Sequence, residues 1–145
     1  MQLLFAGLLA GFEIAVHYGT VTSPEALGEA GEILLRQALT RRLRVLAPSI
    51  FLPSFLLALL VMVQEWRTPG LWFRGIGVAG LLVWILIRIV RTVPINSASM
   101  EWNPEAPPPN WRALTQTAEQ FHVVAAWAAV LAFLCFLVSA LQIQH

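Results

Sequence analysis

The chain has 145 residues, of which 58% are hydrophobic and 12% charged, with a formal net charge of +1 and a mean hydropathy of +0.71. Soluble domains carry about 45–50% apolar and about 25% charged residues, so this composition excludes a water-soluble globule and a disordered chain and predicts a membrane protein of one domain, residues 1–145. The near-neutral charge leaves no footprint for nucleic acid, and the single cysteine, Cys135, excludes an internal disulfide and a cysteine metal cluster.

A membrane span needs about 20 mostly apolar residues. The first candidate runs from Met1 to about Tyr18, interrupted by Gln2 and Glu13. It lacks a positive n-region and a small-residue cleavage site, so it reads as a span and not as a secretion signal. In residues 19–44, Ser23-Pro24-Glu25 predicts a helix start, an N-cap followed by proline at the first helical position. Glu25, Glu29, Glu32 and Arg36 form one face of that helix and Leu27, Ala30, Leu34 and Ala38 the opposite one. This amphipathic extension either projects from the second span or lies on the membrane surface.

The second span is Val45 to Val63, with Pro48 and Pro53 near its start, and QEWRTPG at 64–70 is a short turn. The third span is Leu71 to about Val93. Residues 94–110, PINSASMEWNPEAPPPN, are too proline-rich to be helical throughout. Asn110 caps a helix that begins at Trp111 and carries the fourth span, Phe121 to Ile143. These Leu-, Ala- and Val-rich runs are too long for strands. The expected fold is all-α, an integral membrane four-helix bundle with an amphipathic extension before helix 2 and a proline-rich loop between helices 3 and 4.

Alternating spans put the two long connections on one side. That side holds Arg36, Arg41, Arg42, Arg44, Arg88, Arg91 and Arg112, against Arg67 and Arg74 on the other. The bias predicts cytoplasmic connections and extracytoplasmic termini. Gly7, Gly11 and Ala15 form a small-residue ridge suited to close helix packing, within the bundle or between copies of a homo-oligomer.

Ionisable residues within spans are costly and are therefore candidate functional groups. Glu13 and His17 are four residues apart, on one face of the first helix. Arg88 and Arg91 end the third span, and His122 begins the fourth. All three ends fall at the same membrane face, together with Asn96, Trp102, Asn103, Trp111 and Arg112. A buried Glu13 needs a cation, which Arg88 or Arg91 would supply. His17 and His122 are then expected to share one water-limited pocket under the proline-rich segment. Plainer readings apply elsewhere: Trp66 and Trp72 as an interfacial belt, Cys135 as a packing residue, and His145 as a terminal residue without a role. Arg88 and Arg91 taken alone would be snorkelling anchors. No HExxH, P-loop, GxGxxG or GxSxG motif is present.

The stretch from Pro94 to His122, PINSASMEWNPEAPPPNWRALTQTAEQFH, together with GFEIAVHYG at 11–19, resembles the anthrone oxygenase-like family of small four-helix membrane proteins. The residues carrying the resemblance are Pro94, Asn96, Trp102, Asn103, Trp111, Arg112 and His122, plus His17. The resemblance implies oxidation of a polycyclic anthrone by dioxygen, with no metal or flavin required. His122 or His17 would be the base, and Arg112, Asn96 and Asn103 would stabilise the anion. Trp102 and Trp111 would stack on the rings, with Arg88, Arg91 and Glu13 also on the substrate. It further implies a location in the bacterial inner membrane and an apolar aromatic as partner, besides lipid. Two alternatives stand beside this. One is a haem b-binding membrane protein with His17 and/or His122 as axial ligand and arginines on the propionates. The other is a non-enzymatic accessory subunit.

Overall fold

The computed structural model describes residues 1–21 and 27–142. Helix α1 spans Gln2–Val21, α2 Gly28–Gln64, α3 Leu71–Ile87, α4 Val93–Ser99 and α5 Trp111–Gln142. A π-helical turn, Arg88–Thr92, joins α3 to α4 without a break. Four helical stretches are long and apolar enough to cross a membrane: α1, α2, α3 through α4, and α5. The chain is thus an all-helical bundle of four long members, with no strand among the described residues.

Helix α5 packs along α3 and α1, and α2 closes the bundle against α1 and α3. Leu9, Phe51, Leu81, Trp84, Ala125, Ala129, Ala132 and Phe136 form the core. The outward faces are also apolar: Leu8, Leu52, Leu56, Leu60, Ile76, Leu86 and Leu131 are all exposed. Helices apolar all round lack the single core-facing stripe of a soluble bundle. At the far turn, Arg74 is buried and pairs with Glu65, and Ser139 Oγ donates to the Gly70 carbonyl at 3.0 Å. Trp66 and Trp72 stand exposed there.

The closest backbone approach is not where the Gly7–Gly11–Ala15 ridge puts it. A Cβ on Gly7 would come 3.2 Å from the Phe133 ring, but one on Gly11 would meet nothing within 4 Å, and Ala15 is exposed. The tight seam lies between α3 and α5. A side chain at Gly77 would collide with Phe136, and one at Gly80 would sit 3.1 Å from the Ala128 carbonyl oxygen. Small residues at a three- or four-residue spacing are necessary for such a seam, but a matching bulky partner decides which set is used.

The extension is the outer part of α2 itself, a single 37-residue helix with Pro48 and Pro53 inside it. At 1.5 Å per residue this is about 55 Å, against about 30 Å of hydrocarbon in a bilayer. The N-cap expected at Ser23-Pro24 lies outside the described residues. The amphipathic reading is turned inside out. Ile33, Gln37 and Thr40 are buried, Glu32 and Arg36 are half-buried, and Leu27 and Leu34 are 51% and 52% exposed. The polar side faces inward because polar partners lie there. Gln37 Nε2 donates to the carbonyls of Ser99 and Trp102, each at 3.0 Å. Ile33, Trp102 and Trp111 form a second, smaller core beneath the loop.

The proline-rich segment is helical as far as Ser99 and then turns through 100–110. Pro94 has no N–H and its ring crowds the carbonyl four residues back. The wider π-turn just before it relieves that crowding, with the Val93 N–H reaching back to the Arg88 carbonyl.

Candidate functional site

The site is built where α1 ends, where α3 passes into the π-turn, and about three turns into α5. Glu13 on α1 is completely buried. A carboxylate there needs a counter-charge and hydrogen bonds. Arg88 provides both, its Nη2 donating to each Glu13 carboxylate oxygen while its guanidinium lies 5.2 Å from the Trp84 ring centroid. From α5, His122 brings Nδ1 to 3.6 Å from Glu13 Oε2. A carboxylate at that position favours the proton on Nδ1 and leaves Nε2 as the acceptor. His122 Nε2 is buried and has no hydrogen-bond partner among the described residues. The His17 ring centroid is 6.1 Å from that of His122.

A cleft of about 130 Å³ adjoins this cluster. Helix α1 contributes Val16 and His17. Helix α2 contributes a mixed wall, with Leu27 at its start, then Glu32, Leu35, Arg36, Leu39, Thr40 and Leu43. Arg88, Thr92 and Asn96 descend the π-turn and α4 at four-residue steps, and Thr115, Ala118, Glu119 and His122 come from α5. Arg36 Nη2 donates to Asn96 Oδ1 at 2.9 Å, which fixes the amide so that its NH₂ group is left to donate.

Of the residues singled out in the sequence, His17, His122, Glu13, Arg88 and Asn96 meet at this cleft. The other five lie outside it. Arg91 is exposed over the Phe121 ring at 5.1 Å. Trp102 and Trp111 are buried around Ile33, so they support the loop and do not close over the opening. Asn103 is exposed and its Oδ1 accepts the Glu105 N–H at 3.1 Å, a local turn contact. Arg112 is exposed, pairs with Glu29 at 2.6 Å and lies 4.9 Å from the Trp111 ring centroid. Sequence reasoning missed Arg36, Thr92 and Gln37. Glu32, Arg36 and Thr40 recur every four residues on α2, a polar line at helical spacing that is the one sequence signal of this inward face.

Among the described residues no group of three or more His, Cys, Asp or Glu side chains is placed to hold a metal ion. Comparison with protein-family models, with curated proteins and with solved structures returned no match.

Proposed function

We propose that this is an integral membrane protein with both termini extracytoplasmic, which oxidises a flat, lipid-soluble substrate bearing an acidic C–H bond with dioxygen, in the manner of the anthrone oxygenase-like family that its sequence resembles. The observation carrying this reading is the buried Arg88–Glu13–His122 chain at the cleft. It offers one imidazole nitrogen to a bound molecule while its other nitrogen faces a carboxylate. Positioned bases of this kind accelerate proton abstraction by about 10²–10⁴-fold.

His122 Nε2 takes the proton from the substrate CH₂ group. The carbanion passes its electrons to dioxygen and a C–O bond forms. The peroxide anion takes back the proton held on the imidazole. Nε2 then removes the second C–H proton as the O–O bond breaks, and that proton joins the departing hydroxide as one water, leaving the ketone. The CH₂ carbon loses four electrons and dioxygen gains four. The Asn96 NH₂ donates to the oxygen on which the carbanion's charge is delocalised, the place where a fixed dipole helps most.

The cleft admits roughly ten water-sized spheres, at about 10–15 Å³ for each. That is the scale of one or two aromatic rings, with the rest of a larger molecule lying along Leu35 and Leu39.

The test is oxygen uptake and quinone absorbance with anthrone and the purified protein in lipid nanodiscs. Wild-type protein is expected to turn over, and His122→Ala to slow turnover at least 100-fold. Oxygen uptake no faster than that of empty nanodiscs, or a His122→Ala variant as fast as wild type, would overturn the proposal.

A further inference from the structure

Buried polar atoms without hydrogen-bond partners are concentrated in the cleft. Nine buried side-chain nitrogen or oxygen atoms lack a hydrogen-bond partner among the described residues, and five belong to residues lining it: Arg36 Nε, Arg88 Nε, Thr92 Oγ1, Thr115 Oγ1 and His122 Nε2. Unpartnered buried polar groups are uncommon in folded proteins, and each calls for an explanation.

The threonines are the sharpest case. A hydroxyl on a helix ordinarily bonds back to the carbonyl four residues earlier. Two exposed helical residues of this chain do so, Ser49 to Val45 at 2.7 Å and Thr117 to Ala113 at 2.8 Å. Thr92 and Thr115 are only 3% and 7% exposed and do not. They sit on facing elements, Thr92 on the π-turn and Thr115 near the start of α5. Ser54 on α2 is likewise buried and unbonded, but of these three hydroxyl residues only Thr92 and Thr115 line the cleft.

Charge limits what that is. The Arg88 guanidinium is taken by Glu13. Arg36 is bonded to Asn96 and faces Glu32 and Glu119. Glu13, Glu29, Glu32 and Glu119 outnumber Arg36, Arg88 and Arg112, so no guanidinium is left for an anionic ligand. The apolar side chains of Leu35, Leu39 and Leu43 line the α2 wall.

We infer that the cleft selects a neutral, lipid-soluble molecule carrying at least one acceptor oxygen of carbonyl type, held by Thr92 and Thr115. This deepens the ligand side of the proposed function, resting on the cleft as a binding site and not on any oxidation there. A quinone head and the ester groups of a neutral glyceride share this chemistry.

The test is equilibrium binding without dioxygen, in nanodiscs, using 2-methyl-1,4-naphthoquinone as probe. Controls are 2-methylnaphthalene, which lacks the oxygens, and 2-naphthoate, which is an anion. The quinone is expected to bind more tightly than either control. Thr92→Val and Thr115→Val each remove a hydroxyl at nearly constant shape. Each is expected to weaken the quinone by several-fold, up to about tenfold, and to leave 2-methylnaphthalene unchanged. A melting curve for each variant confirms that it is folded. Displacement of the quinone by dioleoylglycerol, or binding of the glyceride alone with the same dependence on the threonines, assigns the site to ester lipids and upholds the inference. Tighter binding of naphthoate, threonine variants that bind as wild type, or binding of neither quinone nor glyceride overturns it. Binding without turnover of anthrone would sink the oxidation and leave this inference standing. Turnover with no effect of either threonine would do the reverse.

Discussion

Replacing Glu13 by glutamine keeps the shape of a fully buried side chain and removes the charge that neutralises Arg88. Arg88 stays charged in any surroundings a protein provides. Its side chain is 12% exposed, so water replaces little of the lost interaction. Removing one member of a buried pair costs about 3–5 kcal/mol, whereas an exposed pair is worth about 0–1. For a chain of this size 1 kcal/mol corresponds to roughly 2–4 °C in melting temperature, so Glu13→Gln should lower it by about 6–20 °C. Arg88→Met should cost less, because an unpaired carboxyl can take up a proton and an unpaired guanidinium cannot lose one. The double variant should recover part of the loss, leaving neither charge stranded. Thermal or detergent unfolding followed by circular dichroism and tryptophan fluorescence completes the four-member cycle. A loss below about 1 kcal/mol for Glu13→Gln, or a double variant no better than that single one, would refute the reasoning.

Gly77→Leu should destabilise by about 1–3 kcal/mol or more, since the added side chain meets Phe136, whereas Gly11→Leu should stay within about 0.5 kcal/mol. Melting temperatures of the two variants decide it, and equal losses would refute the seam. Gln37→Leu should release the loop by stranding the Ser99 and Trp102 carbonyls, at about 1 kcal/mol for each lost bond. Amide exchange across 100–103 is expected to rise while that of α3 and α5 holds, and an unchanged loop would refute the anchoring role.

What could be read in advance follows from the range of the forces involved. The four long helices are written in long, mostly apolar runs, a local signal. The meeting of His17, Arg88 and His122 follows from helix direction alone, because alternating helices bring those ends together. The choice of Arg88 over Arg91 for Glu13 was open, since both end the third span and only the bundle's rotation separates them. Orientation in the extension was not legible either. A moment computed along α2 assumes water outside and a core inside, but Gln37 is held by backbone carbonyls 62 and 65 residues away in sequence. The same distance problem hid the α3–α5 seam, in which Gly77 matters only because Phe136 lies across from it. Trp102 and Asn103 show the limit in another way. They are neighbours in a polar loop, yet one packs on Ile33 and the other turns to its own backbone.

The π-turn between α3 and α4 has a consequence for how the two ends of that stretch accommodate change. In an α-helix each residue adds about 100° of rotation, so the facing of every later residue is dictated by the first. One widened turn breaks that dictation. The inner half is set by the glycine seam against Phe136 and Ala128, and the outer half by the carbonyls that Gln37 grips. Each half can settle at its own best angle, and the turn absorbs the mismatch. Arg88 closes the inner half and Asn96 belongs to the outer, with Thr92 at the joint. Substitutions that re-pack the bundle therefore need not swing the outer wall of the cleft, and changes in the loop need not disturb the buried charge pair. The joint insulates the outer wall of the cleft from the helices that hold it up.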